Sequence, residues 1–348
     1  MDLQLFWFCV IAFFWAGYFV LEGFDFGVGA LLPFVGRNER ERGTMLETIG
    51  PVWDGNEVWL VVAGGATFAA FPTWYATMFS GFYFALLLIL VLLILRVVSF
   101  EWHGKSDSPR WRAAWFGVQT VTSVGAPLLW GIALANLVRG VPLDSDGRWA
   151  GSFWDLFSAY TVFAGLATVA LFLFHGATFL ALRTRGGLEA RSARAARVLA
   201  VPAALAGAAL VLWTLAVAVD RNDKDVFPPL LPALLAVVAL ALAVVFVRTG
   251  RGAWAFAMTA VGIAAGVATT FTSLYPRVLV SSPDFGNSLT VENASSSHYA
   301  LGVMTVVAIG VTPVILLYQG WTYRVFRARL GTDDESEQPD LVPEQSGA

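Results

Sequence analysis

The sequence predicts an all-α, polytopic membrane protein with nine transmembrane helices, and three observations carry that prediction. The chain of 348 residues is 57% hydrophobic and only 14% charged, with a mean hydropathy of +0.67, whereas soluble domains carry nearer a quarter charged residues. Nine runs reach the roughly 20 mostly apolar residues that a spanning helix needs. The Lys and Arg residues alternate between successive connections in the way membrane insertion sorts them.

The runs lie near 5–34, 50–72, 77–96, 115–138, 155–181, 198–219, 228–248, 253–275 and 301–323. The first is too long for a perpendicular span, so it tilts or extends past the hydrocarbon. It opens MDLQLF without a basic n-region and stays apolar for longer than a signal peptide, which predicts a retained helix. The second opens with Pro51, suited to a first helical turn, and Thr48 is its candidate cap. The third ends at Arg96, and from the third onward the only acid within the runs is Asp155, the first residue of the fifth. The sixth and seventh are joined by the short DRNDKDVF at 220–227. A polar connection at 281–297, which contains a formal sequon at Asn293, precedes the ninth. Residues 1–330 thus read as one membrane domain, and 331–348, acidic and without apolar periodicity, as a disordered tail.

Orientation follows from the basic residues. Of 22, all but Arg139, Arg148, Arg221, Lys224 and Arg277 fall at one side. The N-terminus is therefore expected outside and the C-terminus in the cytoplasm, with the same alternation supporting the count of nine.

Beyond a run's first residue, four acids enter the apolar runs: Glu22 and Asp25 in the first helix, Asp54 and Glu57 in the second. Counting rise per residue puts Asp25 roughly 14 Å, Asp54 roughly 7 Å and Glu57 roughly 12 Å from the cytoplasmic helix ends. All four are expected to cluster there, each pair spaced i, i+3 on one face. Acids near a helix N-terminus are favoured by its dipole, which accounts for Asp54 but not for the other three. Intramembrane charge costs about 3 kcal/mol on insertion scales and marks partners, cavities or proton routes, so a polar path is the functional reading and structural pairing the bland one. Gly23, Gly27, Gly29, Gly55, Gly64 and Gly65 predict close approach of the two helices. Arg96 is a candidate counter-ion, with snorkelling to the interface as the preferred role.

Other chemistry is thinly represented. Cys9 is the single cysteine, and His103, His175 and His298 share no helix or ligand spacing, so no metal or haem pair is expected. His175 reads as a hydrogen-bonded packing residue, a lone axial ligand remaining the alternative. No phosphate-binding glycine loop or nucleophile elbow occurs, and no nucleic-acid partner is expected.

LEGFDFGVG at 21–29, GPVWDGNEVWL at 50–60, FPTWYATMFSGFY at 71–83 and NSLTVENASSS at 287–297 closely resemble subunit II of the cytochrome bd quinol oxidase. The likeness runs through nearly the whole chain in order. It implies two four-helix bundles plus a peripheral helix, in a multi-pass protein of the bacterial cytoplasmic membrane. It implies a complex that oxidises quinol (ubiquinol or menaquinol), reduces dioxygen to water and takes the protons from the cytoplasm, generating proton motive force. Two b-type haems and one d-type haem belong to the partner, subunit I, so this chain is expected to hold none and to have no haem-based catalytic site of its own. A small single-helix subunit and a structural quinone occur in some relatives. By the resemblance, Asp54 and Trp53 match a proton route toward the haems, Asp25 a further acid of it, and Trp59 the lipid-side mouth of an oxygen channel. Relatives carry Asp or Gln in place of Glu22 and Glu57. The 220–227 connection is much shorter than in enterobacterial relatives, so contacts of that loop do not carry over.

Two other readings stand beside this one. A proton-coupled secondary transporter also uses membrane carboxylates, but places its sites at matching helix breaks in both halves, whereas these acids all lie in the first two helices. An inert assembly scaffold would need none of them. Helices one to three are the expected contact with the partner, because the acids must reach its haem site.

Overall fold

The computed structural model describes residues 2–331, so all but the first residue of the expected tail lies outside the described residues. Helix α1 (Leu3–Val35) starts at Asp2, whose Oδ1 accepts from the amides of Gln4 and Leu5 at 2.9 and 3.3 Å. Its 33 residues extend about 50 Å, more than the hydrocarbon is thick. A short amphipathic helix α2 (Glu39–Glu47) follows, capped by Asn38 and absent from the sequence expectation. Then come α3 (Trp53–Ala70), α4 (Pro72–Gly81), α5 (Tyr83–Trp102), α6 (Pro109–Arg139), α7 (Ala159–Arg183), α8 (Gly186–Arg221), α9 (Leu230–Arg248) and α10 (Gly252–Leu274). A hairpin of β1 (Arg277–Leu279) and β2 (Leu289–Thr290) leads into α11 (His298–Val325).

Eight of these helices are long and apolar enough to cross a membrane, and a ninth crossing exists if α3 and α4 count as one span. That pair departs from the straight run expected at 50–72: α4 turns through 120° at Phe71. Pro72 is the cause. It has no amide hydrogen to donate, and its ring drives the preceding residue out of the helical region; Phe71 sits at φ −132°, ψ 68°. The expected third run is displaced in consequence, and α5 continues six residues past Arg96 to Trp102. Thr48 ends α2 rather than capping the next helix, its hydroxyl donating to the Met45 carbonyl at 2.7 Å.

Helix α1 packs on α3 and α6, α5 packs on α6, and α7 to α10 form a second group that meets the first along α1 and α6. Helix α11 lies against α1 and α3 and is mostly exposed. Glycine allows the tightest crossing: a Cβ on Gly27 would stand 2.0 Å from the Phe172 carbonyl oxygen, and one on Gly176 2.5 Å from the Gly27 carbonyl carbon. The α3 glycines behave otherwise. Beside Gly55, Gly64 and Gly65 there is open space, so they do not mediate the expected approach of α1 and α3. Replacing Gly27 by Ala is expected to push α1 and α7 apart at a cost of about 1–3 kcal/mol, whereas Gly43→Ala, in the open on α2, should gain about 0.5–1 kcal/mol from helix entropy. Thermal melting of the two detergent-solubilised variants, moving in opposite directions from wild type, checks the pair.

At the hairpin end, Asn222 anchors the short α8–α9 connection by donating to the Ser273 carbonyl and accepting from Arg277. The Arg277 guanidinium stacks 3.7 Å from the Phe285 ring centroid. Burial and the nearby Arg277 hold the Lys224 ammonium below its usual range.

Candidate polar site between helices one, three, five and eleven

Glu22 and Asp25 point into the bundle and are fully buried. Arg96 is equally buried, and its Nη1 donates to Glu22 Oε2 at 2.8 Å. This corrects the snorkelling expectation. The guanidinium stays inside because two carboxyl groups face it and two rings cover it, Phe26 at 4.5 Å and Phe100 at 5.7 Å. Trp53 stacks in turn on Phe100, centroids 5.3 Å apart and planes within 7°. Desolvated cation–π contacts of this kind are worth up to about 2 kcal/mol, so Trp53 acts on Arg96 through Phe100.

Asp25 has a different partner. Asn56, also fully buried, donates through Nδ2 to Asp25 Oδ2 at 2.7 Å. Its Oδ1 accepts from the Tyr323 hydroxyl at 2.7 Å and from Gln319 Nε2 at 3.2 Å, both on α11. Gln319 Oε1 takes the indole N–H of Trp59 at 2.8 Å. One amide thereby ties α1, α3 and α11 together around a buried carboxyl group. Asn56 accompanies the acids in the segment WDGNEVW, and an amide in an apolar run carries the same cost signal as a charge. Gln319 and Tyr323 are more than 260 residues away in the chain, so nothing local links them to it.

The expected cluster of four carboxyl groups does not form as a unit. Asp54 is exposed and lines a groove of about 390 Å³ between α3 and α11, with Val58, Trp59, Ile315 and Tyr318. Residues 54 and 57 lie 300° apart around a helix, near enough to neighbour but not to share one buried line, and burial separates them. Glu57 is half-buried, within electrostatic reach of Asp54 on one side and of Arg96 on the other. Its charge also reaches Glu22 and Asp25. The acids therefore form a graded series from the surface of α3 to the interior of α1.

Trp59 is nearly buried, its six-membered ring lying where a Cβ on Gly17 would stand, 2.0 Å from Cζ3. On the other flank of α3, a groove of about 520 Å³ opens toward α5, floored by Trp15 and Trp130 and lined by Val61, Gly64 and Gly65. The outward face of α3 thus presents Asp54, Gly55, Val58, Val61, Gly65 and Phe68, all exposed, with the Phe68 ring against Tyr75 of α4.

His175 takes the packing role. Nδ1 meets Thr259 Oγ1 at 2.6 Å and Nε2 meets the Val20 carbonyl at 3.1 Å, while the ring stacks on Phe256 with centroids 4.6 Å apart. Both nitrogens are engaged, which leaves neither for an axial bond. Among the described residues no group of three His, Cys, Asp or Glu side chains is disposed to hold a metal ion.

With this geometry in view, comparison with known proteins is decisive. The family model described as cytochrome bd terminal oxidase subunit II matches residues 3–326. The chain belongs to that family. Subunit 2 of the cytochrome bd ubiquinol oxidase of Bacillus subtilis is 41% identical over 327 residues, covering 93% of this chain and 96% of that protein. Subunit 2 of the Escherichia coli cytochrome bd-I ubiquinol oxidase is 35% identical, covering 95% and 96%. The bd oxidase structure from Geobacillus thermodenitrificans contains a chain that superposes with a TM-score of 0.73, covering 94% of this chain and 99% of that one, and its 18% identity makes this a likeness of fold. A subunit II implies a subunit I as partner, in a multi-pass membrane complex.

Proposed function

We propose that this chain is the haem-free half of a bd-type quinol oxidase and supplies the protons consumed when its partner reduces dioxygen, by way of Asp54, Glu57, Asp25 and Glu22. The observation that carries the reading is the graded burial of these acids, exposed at Asp54 and fully buried at Glu22 and Asp25 around Arg96. Two carboxyl groups and one guanidinium leave one charge to balance in a buried site, and a mobile proton is the counter-charge such a site takes up and releases. Trp53 keeps Arg96 in position through Phe100. The arginine-rich helix ends face the cytoplasm by the positive-inside rule, which makes that compartment the proton source and the bacterial cytoplasmic membrane the location.

The partner, subunit I, docks on the outward face of α3. Its glycines, useless for packing within this chain, permit a close helix–helix approach there, and Asp54 then lies at the junction of the two subunits. The grooves on either flank remain open to lipid or dioxygen, with Trp59 at the wall of one. The haems, two of b type and one of d type, sit with the partner. When bound there they supply the redox chemistry; this chain's histidines are committed elsewhere or isolated. A quinone or a small single-helix subunit fits the exposed apolar surfaces equally well.

The test is substitution in the assembled oxidase with haem content as control. Asp25→Asn and Asp54→Asn are each expected to lower the oxygen-consumption rate at least tenfold, the smallest effect usual for loss of a proton-transferring group being somewhat larger, with the haem spectrum unchanged. Full turnover in both variants at normal haem content would make the chain an assembly scaffold.

A further inference from the structure

Buried polar atoms without partners are rare in folded proteins, and each calls for an explanation. Here five of them share one lane between α1, α5 and α6, namely Glu22 Oε1, Arg96 Nε and Nη2, Gln119 Nε2 and Ser123 Oγ, and at its end the Tyr18 hydroxyl and Trp130 Nε1 face each other. All of these side chains are at least nine-tenths buried. The spacing is regular. On α1 the lane passes Tyr18, Glu22 and Gly29, and on α6 it passes Gln119, Ser123 and Trp130, both at i, i+4 and i+11, which keeps each set on one helix face.

The two helices run antiparallel along it. At one end the Tyr18 and Trp130 rings meet edge to face at 6.0 Å. At the other, a Cβ on Gly29 would lie 2.2 Å from Ser123 Oγ and 3.1 Å from Gln119 Nε2, so both polar groups crowd the same bare stretch of α1. Gln119 Oε1 is already held by the Ser99 hydroxyl, which leaves its amide N–H group turned into the lane. Between the ends sit Glu22 and Arg96, whose charges reach the Tyr18 hydroxyl. Eleven residues of helix correspond to about 16 Å.

We propose that this lane binds a chain of water molecules, with Gln119, Ser123 and Tyr18 as its protein ligands, and that it links the Glu22–Arg96 pair to the end of the bundle where α5 and α6 meet. Arg96 and Gln119 offer donors, Glu22 Oε1 an acceptor and the Ser123 and Tyr18 hydroxyls both, and a buried water needs two to four such partners. Charged groups in hydrocarbon recruit water for the same reason. The lane gives Glu22 a hydrogen-bonded connection that does not pass through Asp54 or Asn56. As a proton conductor it rests on the function proposed above; as a hydration site it does not.

High-resolution cryo-electron microscopy of the assembled complex tests the site. The expected result is a row of water densities within hydrogen-bonding distance of Gln119 Nε2, Ser123 Oγ, Arg96 Nη2 and Glu22 Oε1; a dry lane with side chains closed upon one another overturns it. For conduction, Gln119→Leu in the assembled oxidase at normal haem content should lower turnover roughly tenfold, equivalent to about 1.4 kcal/mol on the barrier, and should raise the solvent deuterium isotope effect. Full turnover with an unchanged isotope effect overturns that role. If Gln119→Leu does not assemble, Ser123→Ala, which removes one hydroxyl, should give the same isotope change with a smaller loss of rate. Asp54→Asn keeps the two ideas apart: an inert Asp54 with water in the lane removes the proposed proton path but not the hydration site, and a dry lane with a sensitive Asp54 does the reverse.

Discussion

Replacing Arg96 by Ala is expected to destabilise the protein by about 3–5 kcal/mol, the cost of leaving a buried carboxylate without its cation. Glu22 Oε2 is then left buried without its partner, and Asp25 loses the same neighbouring charge. The stack from Trp53 through Phe100 to Phe26 loses its middle layer as well. The double variant Arg96→Met with Glu22→Met should recover most of the stability, because well-packed apolar side chains often match or exceed a buried ion pair. It should not recover oxygen reduction. Thermal unfolding of wild type, Arg96→Met, Glu22→Met and the double variant closes a double-mutant cycle. Single losses that simply add would show that the pair is not coupled. A double variant with both stability and turnover restored would show that the ion pair serves packing alone.

The identity of the expensive residues was legible in the sequence; their grouping was not. Glu22 and Asp25 stand out because nothing apolar explains a carboxyl group deep in a long helix, and both are indeed interior. Asp54 and Glu57 stand out equally, yet the first lies at the surface of the chain, because rotation about α3 decides inside from outside and hydropathy reports only depth. Arg96 was misread for a related reason. A window of apolar residues ending at an arginine looks like a helix end, but α5 runs on to Trp102, and the partners that make burial tolerable, Glu22 and Phe26, lie on another helix. The bend at Phe71 was legible in Pro72 and was overridden by the length of the run. Gly64 and Gly65 carry a packing signal that nothing within 4 Å in this chain answers. Gln319 and Tyr323 had no local signal, since their meaning depends on α11 returning to the first three helices.

That return makes Asn56 the residue with the widest expected effect on architecture. Helix α11 is almost entirely exposed, so burial contributes little to holding it. Near one end it is fixed by the Trp7 indole, which donates to Leu301 O at 3.1 Å and Thr305 Oγ1 at 3.0 Å. Beyond its other end Arg329 pairs with Glu189 at 2.6 Å, and the Leu330 amide donates to the Arg183 carbonyl at 2.8 Å. Between these anchors the attachment runs through Asn56 and Trp59. Asn56→Leu removes three hydrogen bonds at once. At about 0.6 kcal/mol each for interhelical bonds in membranes, the direct loss is close to 2 kcal/mol, and Asp25 Oδ2 is left unpaired in addition. The expected result is selective loosening of the middle of α11, seen as faster hydrogen exchange at 310–323 with α7 to α10 unchanged, together with loss of turnover. Asn56→Asp retains the acceptor oxygen for Tyr323 and Gln319 but sets a second carboxyl group against Asp25, so it should keep α11 in place and still impair the oxidase. Uniform exchange in both variants would mean that α11 is held by its ends alone and that Asn56 has no part in presenting Asp25.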